Sequence, residues 1–143
     1  MKAISLMQPW ASLMALELKR IETRSWDTKY RGPLLIHSSK KVIPLHRLFD
    51  DLNFEQREFI FRALENAYDD PEKLPTGMII AVCQLVETKP TESLTTLSWL
   101  EKACGDYAPG RFGWIIGEMK RLEPGIHAKG QLGLWNYDLE VSI

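Results

Sequence analysis

The sequence predicts an α+β fold dominated by strands: a small β-barrel with flanking helices and one helical insertion. Three observations carry this expectation. Five or six stretches alternate or run apolar over strand lengths, bounded by Gly, Pro or polar turn residues. The helical stretches between them fall at irregular intervals, whereas a doubly wound parallel sheet wants a helix between successive strands. A length of 143 residues suits one domain with a core of its own, so residues 1–143 read as a single domain.

The elements follow in order. Ala3–Leu6 reads as a short first strand. Gln8-Pro9-Trp10 opens a helix, because Pro in the first turn loses no hydrogen bond, and the apolar spacing carries that helix over Pro9–Leu18. Arg20–Trp26 alternates as a strand with one polar face. Tyr30-Arg31-Gly32-Pro33 is a turn into the strand Pro33–Ser38, whose centre Leu34-Leu35-Ile36 is fully apolar. Residues 44–70 suit two helices, the second amphipathic and acidic, and the stretch 44–75 is the insertion covering one end of the barrel. Gly77–Glu87 is the strongest strand. Leu94–Ala103 reads as a short helix, Gly105–Gly110 as a loop, and Phe112–Met119 and Leu134–Val141 as the remaining strands.

Composition excludes several classes. At 45% hydrophobic and 26% charged the chain is ordinary globular material. It has no apolar run of membrane length, and residues 1–16 do not resemble a secretory signal, so a soluble, cytoplasmic protein is expected. Cys83 and Cys104 supply neither a disulfide framework nor a C-x-x-C pair. Cys83, mid-strand, reads as a small core residue; Cys104, near a loop, could be exposed, with nothing around it to activate the thiolate. His37, His46 and His127 have no ligand spacing, so no metal is expected. Phosphate loops, dinucleotide fingerprints and nucleophile elbows are missing, and no cofactor is expected. Charge is unevenly spread. Residues 1–47 hold nine Lys/Arg against three Asp/Glu, and residues 48–106 hold five against twelve. That asymmetry suits a basic face for a polyanion, and equally two solvated surfaces.

One constellation remains. Strand periodicity puts Glu22, Arg24 and Trp26 on one face, with Lys19 at the helix–strand junction above it. Two cations flanking a carboxylate can bind a phosphate, orient the carboxylate or share a proton with a substrate. They also suit an ordinary ion-pair cluster.

The stretch Ser5-Leu6-Met7-Gln8-Pro9-Trp10-Ala11, followed by Lys19-x-x-Glu22-x-Arg24, resembles the ASCH (activating signal cointegrator homology) domain family. That family carries the signature G-x-K-x-x-E-x-R, and its coactivator branch has Q-P-W-A-S-L upstream. Arg31–His37 with Lys40-Lys41, and Lys129-Gly130 through Leu134-Trp135, extend the likeness over about residues 3 to 137. Glu17 stands where the signature has glycine, a residue suited to a left-handed helix cap. The resemblance implies a PUA-like barrel with a cleft where Lys19, Glu22 and Arg24 converge, and RNA or other nucleic acid as partner. Some small bacterial members are enzymes. One subgroup deacetylates acetylated cytidine with a Lys and a Thr spaced like Lys19 and Glu22, so that Glu22 replaces the Thr here. Another member is a metal-independent ribonuclease with an important lysine.

The surrounding residues fit a nucleic-acid site. Of five tryptophans, Trp10 and Trp26 are the candidates to stack on bases, and Gln8 could read a base edge. His37-Ser38-Ser39-Lys40-Lys41 could form a phosphate-contacting rim. Lys129-Gly130 would let a backbone approach a ligand, or form a hairpin turn. Three functions compete. The first is a binding module for RNA, single-stranded nucleic acid or a modified nucleoside, with Lys19, Arg24, Lys40 and Lys41 on phosphates. The second is a metal-free hydrolase, either a ribonuclease with Glu22 or His37 as base or an amidohydrolase using Lys19. The third is a protein-interaction domain presenting Glu55, Glu58 and Glu65.

Overall fold

A computed structural model describes residues 1–139. The fold is α+β and mainly β. Its strands are β1 (Lys2–Gln8), β2 (Ile21–Arg24), β3 (Gly32–Val42), β4 (Met78–Pro90), β5 (Phe112–His127) and β6 (Leu134–Asn136). Its α-helices are α1 (Trp10–Ala15), α2 (Phe54–Tyr68) and α3 (Trp99–Ala103). The strands form a single six-stranded sheet in the order β2-β5-β4-β3-β1-β6. Only β1 and β3 run parallel; every other neighbouring pair is antiparallel.

The expected barrel does not close. β2 pairs with β5, β6 pairs with β1, and these two short strands remain the edges of the sheet among the described residues. The long β4–β5 ladder changes register at three places, and each such bulge adds a bend and extra twist. The bulges bend the sheet along this ladder, but four- and three-residue edge strands offer too little ladder to join.

Sheet and helices share a core of Ile4, Leu6, Ala11, Met14, Leu34, Ile36, Ala81, Cys83 and Trp114. The opposite face of the sheet is covered by a smaller cluster around Ala3, Leu35, Ile79, Val82 and Trp135. A third cluster joins α1 to the helical segment through Leu13, Ile60 and Leu64. The last two sit on one face of α2, one turn apart. A capping box starts α2: Asn53 accepts from the Gln56 N–H, and Gln56 accepts from the Asn53 N–H. Arg121 ties its end to β5, donating to the Ala67 carbonyl and covering the Tyr68 ring at 4.2 Å.

Several elements differ from expectation for local reasons. The first helix stops at Ala15, two residues before Glu17, which takes a left-handed φ of 62°. The first helix expected in 44–70 is only a 3-10 turn, Leu45–Arg47, broken off before Phe49, which is itself left-handed at φ 67°. The helix expected over Leu94–Ala103 shrinks to α3, because Ser98 caps it by accepting from the Glu101 N–H. β5 runs eight residues beyond Met119; its Lys, Arg and Glu residues hid it from an apolar pattern, and Pro124 sits in a register shift where no ladder donor is needed. β6 ends at Asn136, and the expected strand end at Val141 lies outside the described residues.

Candidate nucleic-acid interface

The site begins at the end of α1. The Glu17 N–H donates to the Met14 carbonyl, and the Leu18 N–H donates to the Leu13 carbonyl at 3.0 Å. These two bonds make a Schellman ending with Glu17 in the position that glycine normally fills. The turn delivers Lys19, whose own N–H also bonds Leu13, directly beneath β2.

The expected trio does meet. The Lys19 Nζ lies 3.4 Å from Glu22 Oε1, and the Arg24 Nε donates to Glu22 Oε2 at 2.8 Å. Lys19 is 2% exposed, however, and its ammonium also donates to the carbonyls of Ile21 (2.6 Å) and Cys104 (2.7 Å). An ammonium has three protons; two of them are taken by these carbonyls, and the Glu22 carboxylate balances the charge. Lys19 therefore works as a strut between β2 and the end of α3, buried and charge-balanced by Glu22. Arg24 reaches across to β1, donating from Nη2 to the Ser5 carbonyl at 2.9 Å. It is more exposed than Lys19, and its remaining nitrogen is the cation this trio can offer a ligand.

Behind the trio lies a second buried polar group. Glu101 Oε1 accepts from the Arg20 N–H at 2.7 Å, while Oε2 and the Tyr107 hydroxyl are buried without a partner. Burial pushes the Glu101 carboxyl above its ordinary range, against the pull of the Arg20 N–H and of Lys19. Cys104, whose place near a loop left exposure open, is buried, and burial pushes its thiol up to about 12 despite Lys19. Cys83 is a core residue whose thiol is likewise raised by burial to about 12.

A cleft of about 510 Å³ opens over the trio, with Trp10, Thr23 and Arg111 on its walls. Beside it lies a groove of about 980 Å³. The two share Ser5, Met7 and Arg24. Lys40 and Lys41 from the end of β3, His127 at the end of β5 and Lys129 just after it line the groove together with Arg24, and no Asp or Glu does.

Other expected site residues are placed differently. Gln8 is buried and its amide is spent internally: Nε2 donates to Ser12 Oγ and the Pro75 carbonyl, and Oε1 accepts from the Ser12 N–H. It ties β1 to the loop before β4 and has no edge to offer a base. Trp26 lies beyond the end of β2, so strand alternation no longer applies, and it meets Trp114 edge-on at 4.8 Å outside the cleft lining. Trp10 does line the cleft. Ser38 is buried and donates to the Met78 carbonyl. His37 is also buried. A carbonyl can only accept, so its Nε2–H donates to Ala128 at 2.8 Å. In the neutral ring Nδ1 then accepts from the Ser5 hydroxyl at 2.9 Å, and Ser5 in turn accepts from the Trp135 indole. Gly130 lies so close over this pair that a Cβ would stand 2.7 Å from His37 Cε1 and 2.9 Å from Ser5 Oγ. The close backbone approach expected at Gly130 is thus toward the protein's own His37.

Sequence reasoning missed Ser5, Met7 and His127 as lining residues. None of the three carried a sequence signal; that Met7 is the exposed position in an otherwise inward-facing end of β1 is visible only in the fold.

A family model described as the ASCH domain matches residues 4–124. The chain belongs to the ASCH domain family. Two relatives share 32% identity with this ASCH domain over 84 residues: Activating signal cointegrator 1 of Homo sapiens and Activating signal cointegrator 1 of Mus musculus. Each alignment covers 59% of this chain and 14% of the relative, so the ASCH chain corresponds to a small part of those proteins. No helix among the described residues of the ASCH chain is long and apolar enough to cross a membrane.

Proposed function

We propose that this ASCH chain is a single domain that binds single-stranded RNA, running its phosphates along the groove and turning one nucleotide into the adjoining cleft. The observation that carries the reading is a groove lined by Arg24, Lys40, Lys41 and Lys129 with no carboxylate among its lining residues. Such a surface attracts a polyanion and repels no part of it. The neighbouring cleft adds Trp10 as an apolar wall for a base or a modified nucleoside. A hydrolase at the same cleft would need Lys19 to abandon one of its three partners, whereas binding asks nothing of it. No residue of the acidic α2 lines the cleft or the groove, so a protein-interaction role there draws no support from either.

The test is titration of labelled single-stranded RNA across a salt series. Neutralising four phosphates gives a slope of log K on log salt of about −3, or roughly a 50-fold loss from 50 to 200 mM salt. The triple variant Lys40→Ala/Lys41→Ala/Lys129→Ala should reduce that slope to about −1. Affinity that is flat in salt, or a triple variant that binds as the parent does, would overturn the reading.

A further inference from the structure

Leu132 is 98% exposed, far more than any other large apolar side chain in the described chain. A single exposed leucine needs no explanation in itself. This one, however, lines the cationic groove, on the loop joining β5 to β6. The loop is braced on both sides of it. The Ala128 N–H donates to the Gly77 carbonyl at 3.1 Å, the Ala128 carbonyl accepts from His37, and Gly130 is seated against His37 and Ser5. On the far side Gly133 takes a left-handed φ of 65°, and Leu134 pairs at once with Ile4. The leucine is thus held out in water on a short loop anchored at both ends, which lowers the ordering cost of presenting it to a ligand. Met7, also exposed, supplies a second apolar surface in the same groove.

A surface that combines exposed apolar side chains with unopposed cations fits a ligand alternating flat apolar faces with anions. Unstacked nucleotides have this chemistry. A concave groove between Lys40, Lys41 and Lys129 suits a strand better than the flat surface of a bilayer. Resting on the proposed RNA binding, we infer that the loop from Lys129 to Gly133 is a clamp for single-stranded RNA, with Leu132 packing on the face of an unstacked base while Lys129 holds the neighbouring phosphate. Leu132 fills the role that aromatic rings serve in other single-strand binders: no Phe, Tyr or Trp lines this groove, and of its two imidazoles His37 is buried while His127 is exposed at the end of β5.

The experiment uses the full chain and Leu132→Ser, a change that alters no charge and, at this exposure, cannot disturb the core. Single-stranded RNAs carrying 2-aminopurine at successive positions report stacking, and anionic phosphatidylserine vesicles serve as a second probe. The parent should shift 2-aminopurine fluorescence at one or two positions. Leu132→Ser should abolish that shift and weaken binding about five- to tenfold, the low end for loss of a base-packing side chain, with an unchanged salt slope. Salt-dependent RNA binding that Leu132→Ser leaves intact in affinity and fluorescence would overturn the clamp and spare the RNA reading. No RNA binding by the parent, or a Leu132-dependent preference for vesicles, would overturn both.

Discussion

Glu17 occupies the one position of the α1 ending that is built for glycine. With a φ of 62°, its Cβ crowds the backbone, a cost of about 1–2 kcal/mol for a non-glycine residue. Its exposed side chain makes no hydrogen bond among the described residues that would offset the cost. Replacing it with glycine removes the crowding but loosens the unfolded chain by about 0.4–1 kcal/mol. The expected net gain is therefore about 0.5–1 kcal/mol, or roughly 2–4 °C in Tm for a chain of this length. Urea and thermal unfolding of Glu17→Gly beside Glu17→Ala would measure it, with the urea m-value unchanged. Alanine removes the same charge from the carboxyl end of the helix yet keeps the Cβ, so it should recover little of the gain. A glycine variant no more stable than the parent would refute the reasoning. So would an alanine variant as stable as the glycine one, since the gain would then belong to charge and not to φ.

Two further outcomes follow from the buried polar groups. Lys19→Met removes the ammonium from under Glu22 and strips the donor from the Ile21 and Cys104 carbonyls. It should cost about 3 kcal/mol in denaturant unfolding, as expected when one partner of a buried pair is removed, and a loss under about 1 kcal/mol would mean that Lys19 is not the strut described. Glu101 has its carboxyl raised by burial, so the folded chain holds that proton to higher pH than the unfolded chain does. Its contribution to stability is then full below the ordinary carboxylate pKa and is lost as pH rises through the raised folded value. Glu101→Gln should therefore flatten the decline in stability just above the carboxylate range, and unfolding curves for both proteins with the same pH slope there would count against the assignment.

The chain itself determined the strand cores, the family and the meeting of Lys19, Glu22 and Arg24. Apolar runs such as Leu34–Ile36 and Ile79–Cys83 can satisfy themselves only inside a sheet, and the trio is separated by few residues, so local geometry brings it together. What each polar side chain does there was settled by distant neighbours. Gln8 finds its acceptor at Pro75, Lys19 at Cys104, and His37 at Ala128, between 67 and 91 residues away. Those bonds turn three expected ligand-binding residues into internal braces, because a buried donor or acceptor must be satisfied wherever a partner happens to fall. Closure was likewise beyond local pattern: whether a bent sheet becomes a barrel depends on the lengths of β2 and β6, its two edges. The carboxylate-free groove follows for the same reason, since Lys40, Lys41 and Lys129 become neighbours only once β3, β1 and the loop before β6 lie side by side.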